Sequence, residues 1–249
     1  MSEKEQKKII KRKYSDRPNF FYRALAALGR VLMRLIWQPR TVYYAEKFPT
    51  EGSVICICNH YSLLDACVIY HKLFKFKGRI VVKAEAMNNR FIGNFLTALC
   101  GAISVSRGES DIGALKEMIK ELNAGGKILI FPEGKRNKNS AAKELMPFKE
   151  GPVSVALKTK TTLVPTLYYK MQIPFGFKRN KLIVGDPIDL SQFYGKPVHE
   201  VKDAANELVI EKMNELRAQI DEIVEVYGGS LKKYEQAKKA SSASGTAKQ

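Results

Sequence analysis

The sequence predicts an α/β fold built on a largely parallel central sheet flanked by helices. Three observations predict it. From residue 53 onward, short apolar runs rich in β-branched residues alternate with helical segments, as repeated strand–helix units require. The chain has 249 residues, 45% of them hydrophobic, enough for one sizeable core. Capping and turn residues punctuate the runs: Ser110 or Asp111 can start a helix, and Gly125-Gly126 can end it.

The elements follow in order. Residues 1–18 (MSEKEQKKIIKRKYSDRP) read as a flexible basic arm. The next stretch, NFFYRALAALGRVLMRLIWQP, has helical periodicity and stops at Pro39. At 100° per residue, Arg23, Arg30 and Arg34 fall in a sector of roughly 40°, and Phe21, Leu25, Leu28, Leu32, Leu35 and Ile36 lie mostly elsewhere. Such a helix either packs on the protein's own core or lies in a bilayer interface. The arm favours the membrane, because each Lys or Arg near an anionic surface adds about 1 kcal/mol. Strands are expected at 53–58, 79–83, 102–106, 127–131, 162–169 and 181–184, and helices at 63–74, 90–99, 112–123 and 152–158. A long amphipathic helix is expected over Val201–Val224, with Val201, Leu208, Val209, Met213, Leu216, Ile220 and Ile223 near one face. The organisation is therefore an arm and interface helix (1–40), a main α/β domain (41–227) and a tail (228–249) whose Lys, Ala, Ser and Gln composition predicts disorder.

The formal charge is +17, which favours nucleic acid, anionic headgroups, or acidic substrates and carriers. No helix–turn–helix spacing or aromatic-and-basic single-strand signature is present, so no nucleic-acid partner is expected. Cys56, Cys58, Cys67 and Cys100 all stand in apolar surroundings, as structural thiols in a reducing compartment do. A strand would point Cys56, Cys58 and His60 the same way. A zinc cage needs a fourth ligand, however, and no metal site is expected. No secretory signal and no run of about 20 apolar residues is visible.

The segment Ile57-Cys58-Asn59-His60-Tyr61-Ser62-Leu63-Leu64-Asp65 runs from a strand end into a helix. Ligands in open α/β sheets bind beyond the C-terminal ends of strands, so His60 is placed for chemistry. A neutral imidazole is a suitable base near neutral pH, and a carboxylate on its other nitrogen fixes the tautomer. Asp65 can fill that role. Equally, Ser62-x-x-Asp65 can be a capping box and His60 a hydrogen-bonded strand-end residue.

Phe131-Pro132-Glu133-Gly134-Lys135-Arg136 also follows a strand. It is either a Pro/Gly turn with solvated charges or an anion site, with Arg136 forked onto phosphate and Glu133 orienting a donor or a hydroxyl. Lys83 and Arg107 stand at the ends of two further predicted strands. Three cations at one sheet edge would make a phosphate clamp.

In order, N-H-x-x-x-x-D (Asn59 to Asp65), K-x-E (Lys83 to Glu85), S-R-G (Ser106 to Gly108), F-P-E-G-x-R (Phe131 to Arg136) and Val164-Pro165 resemble the glycerolipid acyltransferases. The likeness is nearest to the 1-acylglycerol-3-phosphate (lysophosphatidic acid) acyltransferases and spans about Val54 to Pro165. It implies that His60 is the general base and Asp65 its orienting carboxylate. It also implies that Arg107, Glu133 and Gly134 bind the acceptor, that Lys83 and Arg136 contact its phosphate, and that Val164-Pro165 lies on the acyl-chain side. The family usually carries threonine, arginine and serine after F-P-E-G, where this chain has Lys135, Arg136 and Asn137. The implied reaction moves a fatty acyl group from acyl-CoA or acyl carrier protein, as co-substrate, to the free hydroxyl of lysophosphatidic acid, giving phosphatidic acid without a cofactor. The alternatives are acylation of glycerol 3-phosphate or another lysophospholipid, or a non-catalytic basic membrane-binding protein. The expected location is the cytoplasmic face of a membrane, peripheral or monotopic, on an anionic surface.

Overall fold

The computed structural model describes residues 20–36, 41–61, 63–75, 77–106, 111–137, 144–169 and 181–246. The basic arm through residue 19, Trp37, Ser62, Ser110 and Arg107 lie outside the described residues. The strands are β1 (Val42–Tyr43), β2 (Val54–Cys58), β3 (Arg79–Lys83), β4 (Ile103–Val105), β5 (Lys127–Ile130), β6 (Thr162–Tyr169) and β7 (Lys181–Val184). They form one sheet in the order β1-β7-β6-β2-β5-β3-β4. Every neighbouring pair is parallel except β6 with β7, as expected for a largely parallel sheet.

The helices are α1 (Phe20–Ile36), α2 (Leu63–Lys72), α3 (Arg90–Cys100), α4 (Ile112–Asn123), α5 (Gly151–Thr159), α6 (Val198–Glu225) and α7 (Leu231–Thr246). The two-residue period of β2 divides the interior. Ile55 and Ile57 join the cluster formed with α4, α5 and α6, whereas Val54, Cys56 and Cys58 join the one formed with α2. All five β2 residues are buried, as a central strand covered on both faces must be. On α6, Val201, Ala205, Val209, Met213, Leu216, Ile220 and Ile223 recur every three or four residues and are buried, the spacing of one helix face. Asp111 caps α4, accepting from the Ala114 N–H at 3.1 Å, and Gly125 follows that helix at φ +80°, a conformation that suits glycine.

Three expectations change. The tail is not disordered over Leu231–Thr246, which is helical. Tyr234 is buried and meets Tyr227 edge-on, with ring centroids 5.7 Å apart, and Lys238 pairs with Glu222 at 3.1 Å. One aromatic anchor thus fixes a helix whose composition alone cannot support a core. Arg30 does not lie in a solvated cationic stripe. Its Nη2 donates to the carbonyls of Ala98 and Leu99 at 2.8 and 3.1 Å, satisfying the C-terminal end of α3. The α1 helix packs on α3 through Ala26 and Leu99, yet Phe20, Phe21, Leu28, Val31 and Leu32 remain exposed. The helix therefore packs on the protein through one face and leaves an apolar face exposed on the other. The third is β1, too short to register in a periodicity reading; it pairs with β7 through Val42↔Leu182 and Tyr43↔Ile183.

Candidate active site

The central strand β2 stops pairing at Cys58, and the next side chain takes over its hydrogen bonding. Asn59 is buried. Its Nδ2 donates to the Tyr168 carbonyl at 3.1 Å, and its Oδ1 accepts from the Tyr168 N–H at 2.7 Å. A side-chain amide here reproduces the donor–acceptor pair of a backbone residue and is fully satisfied although buried. The chain can leave the ladder at this point without orphaning β6, and His60 projects beyond the strand end.

His60 Nδ1 lies 3.3 Å from Asp65 Oδ2, and the same oxygen accepts the Tyr61 N–H at 2.6 Å. An ionised carboxylate only accepts, so the proton on this contact belongs to Nδ1. Nε2 then carries the lone pair, the tautomer a general base needs. The imidazole stacks on Phe131, with ring centroids 4.0 Å apart and planes at 22°, which limits its rotation. Asp65 is almost fully buried and His60 is 16% exposed at its side chain, so the imidazole keeps a window to solvent. Asp65 also holds the backbone N–H of Tyr61, whereas the capping box expected through Ser62 lies outside the described residues.

Because β5 is inserted next to β2, the turn after β5 meets the turn after β2. The Asn137 N–H donates to the His60 carbonyl at 2.6 Å. The Phe131–Gly134 turn closes by a 3.0 Å bond from the Gly134 N–H to the Phe131 carbonyl, and Lys149 N–H donates to the Pro132 carbonyl at 2.9 Å. Gly134 has φ +63°, a backbone conformation that favours glycine. Glu133 is buried, and its Oε2 has no hydrogen-bond partner among the described residues. Burial pushes its carboxyl from the ordinary 4.5 up to about 7. A backbone hydrogen bond from His60 opposes that rise, and the Asp65 charge adds to it.

The structure brings His60, Asp65, Glu133 and Gly134 together. Counting on from Ile57↔Ile130 and Ile80↔Leu129, Asn59 and Lys83 both stand level with Pro132. Lys83 is thus at the same sheet edge, two strand spacings or roughly 10 Å across. Arg136 is exposed and adjoins Asn137. Arg107 lies outside the described residues, so the structure places two of the three cations expected at this edge. Val164 is buried in β6, and Pro165 pairs with Ile57. The Pro165 carbonyl accepts from the Gly185 N–H at 2.9 Å, just past the end of β7. Its missing N–H faces the same side, so the β2–β6 ladder loses no bond.

Cys56 and Cys58 are buried, and burial raises both thiols, Cys56 to about 12 and Cys58 well above its ordinary value. They act as small apolar groups. Among the described residues no group of three or more His, Cys, Asp or Glu could hold a metal ion. Two site residues escaped sequence reasoning as participants. Asn59 was visible only as a motif letter, and Asn137 contributes its backbone, which no side-chain pattern can signal.

A family model described as Acyltransferase matches residues 39–169. The 1-acyl-sn-glycerol-3-phosphate acyltransferase of Bacillus subtilis (strain 168) is 29% identical over 188 residues, covering 73% of this chain and 90% of that protein. The protein of the same name from Cocos nucifera is 29% identical over 171 residues, 68% of this chain, which spans about half of its length (53%). The crystal structure of the 1-acyl-sn-glycerophosphate (LPA) acyltransferase PlsC from Thermotoga maritima superposes with a TM-score of 0.55 at 22% identity, covering 88% of this chain and 84% of that one. At that identity it establishes the shared α/β fold.

Proposed function

The chain belongs to the acyltransferase family, and from that premise we propose that it acylates the free hydroxyl of 1-acylglycerol 3-phosphate, giving phosphatidic acid. The observation that carries the mechanism is the His60–Asp65 contact of 3.3 Å, held at the C-terminal sheet edge beside the Phe131–Gly134 turn. His60 Nε2 takes the hydroxyl proton as the oxygen attacks the thioester carbonyl. The tetrahedral oxyanion collapses, the C–S bond breaks, and the imidazolium returns its proton to the departing thiolate. Asp65 steadies the imidazolium meanwhile. No side-chain nucleophile is needed, since the thiolate leaves readily. Lys83, Arg107 and Arg136 hold the acceptor phosphate and position the hydroxyl, with Glu133 and Gly134 shaping the acceptor side. Val164-Pro165 serves the acyl-chain side. The acyl donor is an acyl thioester of coenzyme A or acyl carrier protein.

The test is a matrix of acceptors against donors with the purified protein, read as thiol release. The reading expects turnover with lysophosphatidate. Turnover confined to glycerol 3-phosphate would assign the chain to the other acceptor, and absence of release with every pair would reject acyl transfer.

The site is assigned to a membrane surface, on the cytoplasmic face, where buried free thiols persist. Among the described residues no helix is long and apolar enough to cross a membrane, so the association proposed is interfacial. The apolar side chains left exposed on α1, with Phe91 and Ile92 on α3, support it; a surface helix of this kind buries such a face in the headgroup boundary. Replacing Leu28 and Leu32 together by aspartate is expected to move the protein to the supernatant when it is sedimented with anionic vesicles. Undiminished sedimentation of that variant would reject this face as the contact.

A further inference from the structure

Residues 59 to 61 are each held from a different direction. Asn59 is tied to β6 at Tyr168, and the His60 carbonyl is tied to Asn137. Tyr61 is tied to the far end of the chain: its hydroxyl accepts from Arg217 Nη1 at 3.1 Å, across 156 positions of sequence. Arg217 sits on α6, well beyond residue 169, where the family match ends. Its guanidinium is fixed on its other sides. Nε donates to Asp221 Oδ2 at 3.2 Å, one helical turn on, and the guanidinium carbon lies 5.5 Å from the centroid of the Tyr169 ring. Tyr169 in turn donates from its hydroxyl to Glu225 Oε1 at 3.3 Å. The Arg217 side chain is 11% exposed. Both Nη1 and Nε are thus directed into the protein.

We propose that Arg217 is a positioning residue for His60, acting through the Tyr61 hydroxyl to fix the turn that carries the imidazole. The inference rests on His60 being the base assigned above. Tyr61 is the hinge of the arrangement: its N–H bonds Asp65, its ring end bonds Arg217, and it is covalently joined to His60. Releasing the ring end removes the tether on the α6 side and leaves the turn held only by Asn59, the His60 carbonyl and the Asp65 contact. A displacement of about 1 Å at a reacting group can cost about 10²-fold in rate.

Two variants and two readouts test this. Tyr61→Phe deletes only the hydroxyl, and Arg217→Met keeps much of the side-chain volume while removing the donor. Each is expected to lower kcat by about 10- to 100-fold with KM for lysophosphatidate and for the thioester within about twofold, and the double variant to fall no further than the worse single one. A raised acceptor KM with kcat retained would make Arg217 a headgroup contact and overturn the proposal, as would additive losses. The second readout needs no turnover. The chain has three histidines, so imidazole resonances can be assigned by substitution. Both variants should displace the His60 ring signals and leave those of exposed His199 in place; unmoved His60 signals overturn the proposal. If the unaltered protein transfers no acyl group, the functional reading fails, and the resonances still decide the role of Arg217.

Discussion

His60→Ala is expected to reduce acyl transfer by about 10²–10⁴-fold, the contribution a positioned base makes, with little change in fold. The side chain stands beyond the end of β2, and its removal opens no cavity inside either core cluster. Asp65→Ala is expected to approach the same loss for a different reason: it removes the acceptor that holds the Nδ1 proton and the charge that steadies the imidazolium. The pair acts as a unit, so the double variant should be no slower than the slower single one. Thiol release from palmitoyl-CoA with lysophosphatidate is the measurement. Activity in His60→Ala within a few-fold of the unaltered protein would remove His60 as the base.

The second large effect concerns pH. The Glu133 carboxyl is raised to about 7 from 4.5, so between these values the folded chain binds more protons at this group than the unfolded chain. Stability must therefore fall as pH rises through that window. The contribution is fully present below about pH 4.5 and lost above about pH 7. Taken at face value the shift corresponds to about 3 kcal/mol, an upper figure. Glu133→Gln holds the neutral form at every pH. From urea unfolding at pH 5 and pH 8, its stability advantage over the unaltered protein is expected to grow by about 1–3 kcal/mol. Parallel pH profiles for the two proteins would show that Glu133 ionises normally. At pH 8 the same substitution should weaken turnover if a charged Glu133 orients the acceptor.

Much of the fold was legible because burial on both sheet faces leaves a mark in the sequence. The β-branched runs expected at 53–58, 79–83 and 127–131 fall on β2, β3 and β5 to within a residue, and the regular spacing from Val201 to Ile223 marked the buried face of α6. The His60–Asp65 contact could be anticipated because both partners belong to one short strand-to-helix turn. What stayed hidden depends on distant partners. Arg30 shares a helical sector with Arg23 and Arg34, and nothing in that pattern reveals two carbonyls 68 and 69 positions away. The α7 helix looked incapable of order because a composition reading averages over Tyr234, the residue that anchors it. Lys83 reaches the edge that carries His60 only through a strand order that the sequence does not state.

That strand order has a kinetic side. β5 lies between β2 and β3 in the sheet, although β3 and β4 both precede it along the chain. During folding, β3 cannot close directly onto β2; a gap one strand wide must be filled by a segment made later. Non-local pairings of this kind form slowly, because loop closure precedes any gain from contact. Until β5 enters that gap, Phe131 is not against the imidazole and Asn137 is not on the His60 carbonyl. A partly folded chain can therefore carry every motif residue and still lack the arrangement of His60, Phe131 and Asn137.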